Sequence, residues 1–95
     1  KPAAGISSSR RAGSVTSMDV LNKHLSISEM PIVTSNYWNE VHGHTPSDVE
    51  QDREGLDTMY ALGKNMAWML KCIEAGKKAG IEFPKNKKRT TNFIR

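Results

Sequence analysis

The pattern of apolar and polar positions divides the chain into two short apolar runs and two amphipathic stretches. Residues 2–9 are small or apolar and uncharged, which predicts a short buried strand. From Ser14 to about Leu25, apolar residues recur three and four positions apart, and this spacing predicts a helix with Ser14 as its N-cap. Residues 31–35 are rich in β-branched side chains and predict a second strand.

The longest periodic stretch follows a loop at residues 36–46. Ser47 and Glu50 have the spacing of a capping box, which predicts that a helix begins there. Gly80, with Pro84 beyond it, predicts where the helix ends. Cys72 lies beside apolar neighbours, so we expect a buried, unreactive thiol. The apolar stripe of this helix comprises Leu56, Met59, Tyr60, Gly63, Met66, Ala67, Leu70 and Ile73.

The predicted element order is therefore β-α-β-α, followed by a tail. Two strands joined by a helix pair in parallel through a right-handed crossover, which indicates an α/β fold. Two strands alone do not make a stable sheet, and their open edges need cover. We therefore expect further strands, either from a longer polypeptide or from a second copy of the chain.

The turn between the first strand and the first helix is the best candidate for a ligand site. It holds Arg10 and Arg11 among small residues. A strand that turns into a helix start leaves backbone N–H groups free at the sheet edge, and the helix dipole and the guanidinium groups attract negative charge there. Turns of this kind also occur in α/β proteins without any ligand, so the pattern alone leaves both interpretations open.

Seven short motifs follow one another along the chain, at residues 8–13, 30–33, 36–39, 41–43, 55–56, 62–68 and 91–95. Together, and in this order, they resemble the C-terminal half of the NADPH-dependent FMN reductase family, within the flavodoxin-like fold. The similarity extends from Lys1 to Arg95.

The resemblance implies a doubly wound parallel sheet of five strands, with FMN at the carboxyl ends of the strands. This chain would supply the fourth and fifth strands with their helices, and would lack the first strand and its loop for the FMN phosphate. It is then incomplete as a single chain. The residues implied in cofactor binding, mainly through backbone N–H groups beside the flavin, are Ser8, Ser9, Arg10, Arg11, Ala12 and Gly13.

The resemblance also implies that Tyr37 and Trp38 lie beside the cofactor. There the two rings would stack on the flavin or cover the flavin of a neighbouring subunit. Exposed aromatic residues on a loop are also common in protein interfaces, and that alternative stays open. One of the two arginines would instead serve the NADPH phosphates or a salt bridge.

The implied function is part of an FMN-dependent NAD(P)H oxidoreductase. Hydride would pass from NADPH to FMN, and electrons would then pass to a quinone, a free flavin or a metal centre. No catalytic side chain is predicted, because the cofactor performs the hydride chemistry. The alternatives are a non-catalytic flavodoxin-like electron carrier and, less favoured, a small basic nucleic-acid-binding module. The expected partners are flavin and nicotinamide nucleotides, together with a second copy of the chain or a missing N-terminal half.

Length and composition refine this picture. Ninety-five residues make at most one domain, which we divide into residues 1–84 and a basic tail at residues 85–95. The net charge of +4 comes largely from that tail, which we interpret as a solvated terminus. No apolar run approaches the roughly 20 residues of a membrane span.

Cysteine and histidine usage gives two further expectations. A single cysteine excludes an internal disulfide and suits a reducing cytoplasm. His42 and His44 form an H-x-H pair without the additional ligands that a zinc site needs, so no metal site is predicted.

Overall fold

A computed structural model describes residues 1–93, and its regular structure is helical. Helix α1 spans Ser14–Ile27, the short helix α2 spans Pro46–Val49, and helix α3 spans Arg53–Lys78. Helices account for 47% of the structure and isolated bridges for 4%. The predicted parallel sheet is absent from the described residues, so the α/β, flavodoxin-like fold class is wrong for this chain.

Two extended segments lie where the strands were predicted, and they touch at only two points. Isolated parallel bridges join Ala3 to Ile32 and Ser7 to Glu40. The two bridge positions are four apart in sequence on the first segment, whereas they are eight apart on the second. The second segment therefore turns away between its two bridges, and a continuous ladder cannot form because the two segments do not keep a common register.

The side chain of Asn39 partly replaces the missing ladder. Asn39 is buried, and its Nδ2 donates to the carbonyl of Gly5 at 3.1 Å. Its Oδ1 accepts a hydrogen bond from the Ser35 hydroxyl at 2.6 Å, and the same hydroxyl contacts the carbonyl of Tyr37 at 2.7 Å. These bonds close a turn at residues 36–38, and this turn interrupts the second extended segment.

The helix starts differ from the predicted ones. Ser14 is the first residue of α1, and its N-cap is Gly13. The capping box lies at Thr45 and Asp48 on α2, where Pro46 fits the first helical position because that position needs no N–H donor. Helix α3 begins only after a second cap, so the long helix predicted from Ser47 is two separate helices.

The helix ends agree better with the sequence. α1 runs two residues past Leu25, to Ile27. α3 ends at Lys78, and Gly80 lies just beyond it with φ +85°, which confirms the predicted stop.

The apolar core is thin. The buried apolar side chains among the described residues are Met18 of α1, Val33 of the second extended segment and Leu62 of α3. The predicted stripe of α3 is only partly buried, because Tyr60 is 69% exposed and the stripe beyond it also reaches solvent. Cys72 is exposed, so the prediction of a buried thiol is wrong.

The remaining chain has no regular structure as far as it is described. The four basic residues of the tail are all exposed: Lys85, Lys87, Lys88 and Arg89. Ile94 and Arg95, which end both the tail and the 91–95 motif, lie outside the described residues. Within residues 1–93, no helix combines the length and the apolar character needed to cross a membrane.

Candidate functional site

The turn at residues 8–13 is fixed at its base by Ser7. The buried Ser7 hydroxyl donates to the carbonyl of Ser14 at 2.8 Å, and the Ser7 N–H donates to the carbonyl of Asn39 at 3.0 Å. Between these anchors the chain leaves the core, and all of residues 8–13 are exposed except the half-buried Ser9. The predicted cofactor-binding turn is therefore an anchored loop at the start of α1.

The N-terminus of α1 is open. Gly13 has φ +95°, and no side chain accepts a hydrogen bond from the first turn of the helix. A Cβ atom at Gly13 would meet nothing within 4 Å. The first N–H groups of a helix have no acceptor inside the helix and carry the positive end of its dipole, so this helix start favours negative charge. Arg10 and Arg11 are exposed beside it and form no ion pair within residues 1–93.

His42 connects this turn to the loop that follows the second extended segment. The Ser9 N–H donates to Nδ1 of His42 at 3.5 Å, a long bond. Nε2 of His42 lies 3.1 Å from a carboxylate oxygen of Glu40. Because Nδ1 accepts a hydrogen bond, the neutral imidazole carries its hydrogen on Nε2, and this Nε2–H group donates a hydrogen bond to the Glu40 carboxylate. His42 therefore orients both the Ser9 turn and the Glu40 carboxylate.

Asp52 holds the backbone of His42 in place. One carboxylate oxygen of Asp52 accepts the N–H of His42 at 2.8 Å, and the other accepts the N–H of Gly55 at 3.0 Å, where Asp52 is the N-cap of α3. The bonds from Gly55 and then His42 lower the pKa of Asp52 below its usual value, because both stabilise the ionised carboxylate. The start of α3 is thereby tied to the His42 loop.

The two loops enclose a cleft of about 700 Å³. It brings together three of the predicted cofactor-binding residues and the H-x-H pair, which the sequence separates by more than 30 positions. Its lining is mostly polar, and Gly43 has no room for a side chain because Val49 packs against it. The residues that line the cleft are Ser8, Ser9, Arg10, His42, Gly43 and His44.

The other predicted site residues lie outside this cleft. Arg11, Ala12 and Gly13 continue the exposed turn toward α1. Tyr37 and Trp38 line a separate, mainly apolar hollow of about 440 Å³ between α1 and residues 32–39. The two residues are 61% and 56% exposed, and their ring centroids lie 6.3 Å apart with the ring planes tilted by 46°.

A smaller hollow of about 150 Å³ lies between the cleft and the aromatic pair. Tyr37 lines both this hollow and the apolar one, and His42 lines both this hollow and the cleft. Each pair of neighbouring depressions therefore shares one lining side chain.

Sequence reasoning missed Glu40 and Asp52 and gave His42 little weight. Asp52 lies three residues before Gly55, the spacing at which an N-cap side chain accepts a backbone N–H. The sequence offers a second capping pattern five residues earlier, at Ser47 and Glu50, and that pattern led to the wrong helix start. Glu40 and His42 are two positions apart on an extended segment and so share a face, a signal that the sequence does contain. Within residues 1–93, no group of three or more metal-ligating side chains is close enough to hold an ion.

No family model matches the chain, and neither a curated protein nor a solved structure matches it.

Proposed function

We propose that the chain supplies the flavin-facing and nicotinamide-facing part of an FMN-dependent NAD(P)H oxidoreductase. The observation that carries the proposal is the meeting of the 8–13 turn and the 42–44 loop at one polar cleft. Both segments belong to the motifs on which the resemblance to the FMN reductases rests. Their convergence supports a common ligand, because the polar groups of a binding site come together from separate parts of the chain.

The residues of the cleft suit the polar edge of a reduced flavin. Its volume of about 700 Å³ lies within the range of roughly 300–1,000 Å³ that small-molecule sites occupy. The Arg10 guanidinium lines the cleft and forms no ion pair within residues 1–93, so it favours the negative charge that such a ring gains on reduction. When bound there, FMN would supply the hydride and electron chemistry, with NADPH as the hydride donor and a quinone, a free flavin or a metal centre as the acceptor.

The chain's own residues then bind and orient. Ser9 offers its N–H to the ligand in exchange for a long bond to His42. Arg10 supplies positive charge, and Tyr37 and Trp38 supply exposed aromatic surface beside the cleft. None of these residues exchanges a proton or forms a covalent bond in the proposed role.

We further propose a reducing cytoplasm as the location. Cys72 is the only cysteine and is exposed, and an exposed thiol persists unpaired where the surroundings are reducing.

The first experiment is the visible absorbance spectrum of the chain after incubation with FMN and desalting, followed by FMN titration and an NADPH consumption assay. We expect retained flavin bands and NADPH oxidation. Flavin retention without NADPH oxidation would favour the alternative of a non-catalytic electron carrier. A chain that is colourless after desalting and shows no binding in the FMN titration would contradict flavin binding by these residues.

Two arginine variants test the site itself. Arg10 lines the cleft and Arg11 does not, although they are adjacent and equally charged. We expect Arg10→Gln to weaken FMN binding about tenfold, the loss expected for one charge-assisted hydrogen bond. Arg11→Gln is the matched control and should change the affinity by less than about twofold. Equal effects of the two variants would show general charge attraction in place of a defined contact.

A further inference from the structure

Helix α3 carries a second apolar face that points away from the core. Leu62, on the core side, lies about 200° around the helix from Tyr60, at about 100° per residue. The residues on the outer face follow each other at intervals of four, three, four and three, which is the spacing of a coiled-coil seam. We call this face the seam: Leu56, Tyr60, Gly63, Ala67 and Leu70.

From Tyr60 onward the seam is exposed within the described chain, whereas Leu56 at its start is half-buried. Tyr60 is 69% exposed and Leu70 is 48% exposed. At Gly63, in the middle of the seam, a Cβ atom would meet nothing within 4 Å. An apolar face of this length on a helix is stabilised when another helix packs on it.

The charges beside the seam identify the partner. Asp57 stands near the start of the seam and Lys71 near its end, and neither forms an ion pair within residues 1–93. In an antiparallel pair of α3 helices centred on Gly63, Asp57 of one copy lies on the same side of the pair as Lys71 of the other, about 3 Å along the axis from the directly opposite position and within reach of the long lysine side chain. The pair has two such contacts, which outnumber the one approach of Lys64 to its own symmetry mate. In a parallel, in-register pair, the two copies of Asp57 would lie at one end on opposite sides of the seam and the two copies of Lys71 at the other end, so no contact between Asp57 and Lys71 could form.

We propose that a second copy of this chain covers the seam, as an antiparallel, two-fold symmetric pair of α3 helices. Leu56 then packs on Leu70 and Tyr60 on Ala67 across the interface. Gly63 meets its symmetry mate at the centre, where the absence of side chains lets the helix axes approach closely. This proposal does not depend on flavin binding.

The test begins with sedimentation velocity of the chain over a range of concentrations. We expect a reversible shift from the 10.6 kDa monomer to the dimer. A monomer at every concentration would overturn the proposal and would leave the seam to some other partner.

Gly63→Arg tests the contact at the centre of the seam. The isolated chain has open space there, so helix content measured by circular dichroism should be kept or increased, since glycine is a poor helix former. In the dimer two bulky, like-charged side chains would collide, so we expect the dimer to be lost. Cys72→Arg is the control, because Cys72 is exposed on the same helix but lies off the seam. A dimer that survives Gly63→Arg, or that Cys72→Arg disrupts equally, would overturn the proposal.

A charge exchange tests the orientation independently, without changing the apolar contacts. We expect Asp57→Lys alone and Lys71→Asp alone each to weaken the dimer about tenfold at low salt, because each places like charges opposite one another. The double variant Asp57→Lys/Lys71→Asp should restore the dimer, since it exchanges the two charges. Failure of the double variant to recover would exclude the antiparallel arrangement.

Discussion

At the residue scale, Asp52 is the side chain that ties the candidate site to the longest helix. Its two carboxylate oxygens hold the N–H of Gly55, at the start of α3, and the N–H of His42, in the cleft. A change in its charge therefore acts on the helix start and on the cleft lining together.

We expect Asp52 to make part of the folding stability dependent on pH. Its pKa is lowered in the folded chain by the bonds from Gly55 and His42, so the folded state favours the ionised form. This contribution is fully present above the unfolded pKa, about 3.9, and is lost as the pH falls from there through the lower native pKa. Thermal unfolding at a series of pH values between 7 and 2, followed by circular dichroism, measures the loss.

Two variants separate Asp52 from the other carboxylates. Asp52→Asn should be less stable at neutral pH and should show a smaller loss on acidification, because it has no charge to neutralise. Asp19→Asn is the control, since the Asp19 carboxylate is exposed on α1 and makes no hydrogen bond or ion pair within residues 1–93. If acidification destabilised Asp52→Asn as much as the parent chain, the assigned role of this carboxylate would be wrong.

At the element scale, α1 and α3 end in the same way. The N–H of Met30 bonds to the carbonyl of Leu25, and the N–H of Glu29 to that of Ser26, which is the Schellman pattern of bonds. At the end of α3 the N–H groups of Ile81 and Gly80 make the equivalent bonds to Gly76 and Lys77. The position with positive φ is Glu29 at the first helix, with φ 56°, and Gly80 at the second, with φ 85°.

The two helix ends predict opposite results for two substitutions. Glu29→Gly should stabilise the chain by up to about 1 kcal/mol, because glycine adopts positive φ without the steric cost that a Cβ atom brings. Gly80→Ala should destabilise it by about 1 kcal/mol for the same reason. Urea unfolding of both variants and the parent checks this pair, and a destabilising Glu29→Gly would contradict it.

Elements whose signals are local were predictable from the sequence, and elements that need distant pairing were not. The course of α1 and the end of α3 follow from nearby residues, namely an apolar stripe and Gly80. The prediction of a sheet was wrong because a turn at residues 36–38, closed by Ser35 and Asn39, puts the two extended segments out of register. No periodicity in either segment indicates that turn.

The residues of the candidate site were also predictable only in part. Of the cofactor-binding residues that the resemblance implies in this turn, Ser8, Ser9 and Arg10 line the cleft, whereas Arg11, Ala12 and Gly13 do not. Glu40 and Asp52 act through bonds to His42, and those bonds depend on how the loops meet. Tyr37 and Trp38 were predicted for the same site but line an adjacent hollow, because the turn that carries them faces α1.

At the scale of the whole molecule, the chain is flat and open. Its radius of gyration is 17.3 Å and its extents are 49 × 46 × 18 Å, whereas a compact chain of this length has a radius of gyration of about 12–13 Å. The buried apolar side chains of the described residues are three, namely Met18, Val33 and Leu62. A core of this size contributes little stability, so association of two copies should matter more here than in a compact domain.

Two leucines of α3 distinguish the stability of the single chain from the stability of the proposed dimer. Leu62 is 6% exposed in the core, and Leu70 is 48% exposed on the seam. In dilute solution Leu62→Ala should cost about 2–3 kcal/mol, because it leaves a cavity in a small core, whereas Leu70→Ala should change the unfolding free energy by less than about 0.5 kcal/mol.

At high chain concentration, Leu70 should contribute more to the concentration-dependent part of the melting temperature than Leu62 does. If the seam pairs two chains, the melting temperature of the parent rises with chain concentration, because only folded chains associate. Leu70→Ala should flatten that rise, since it removes an apolar contact that exists only in the pair, while Leu62→Ala should lower every melting temperature and keep the slope. Thermal melts over a hundredfold range of concentration distinguish these results. A slope that Leu70→Ala leaves unchanged would place the association on some other surface of the chain.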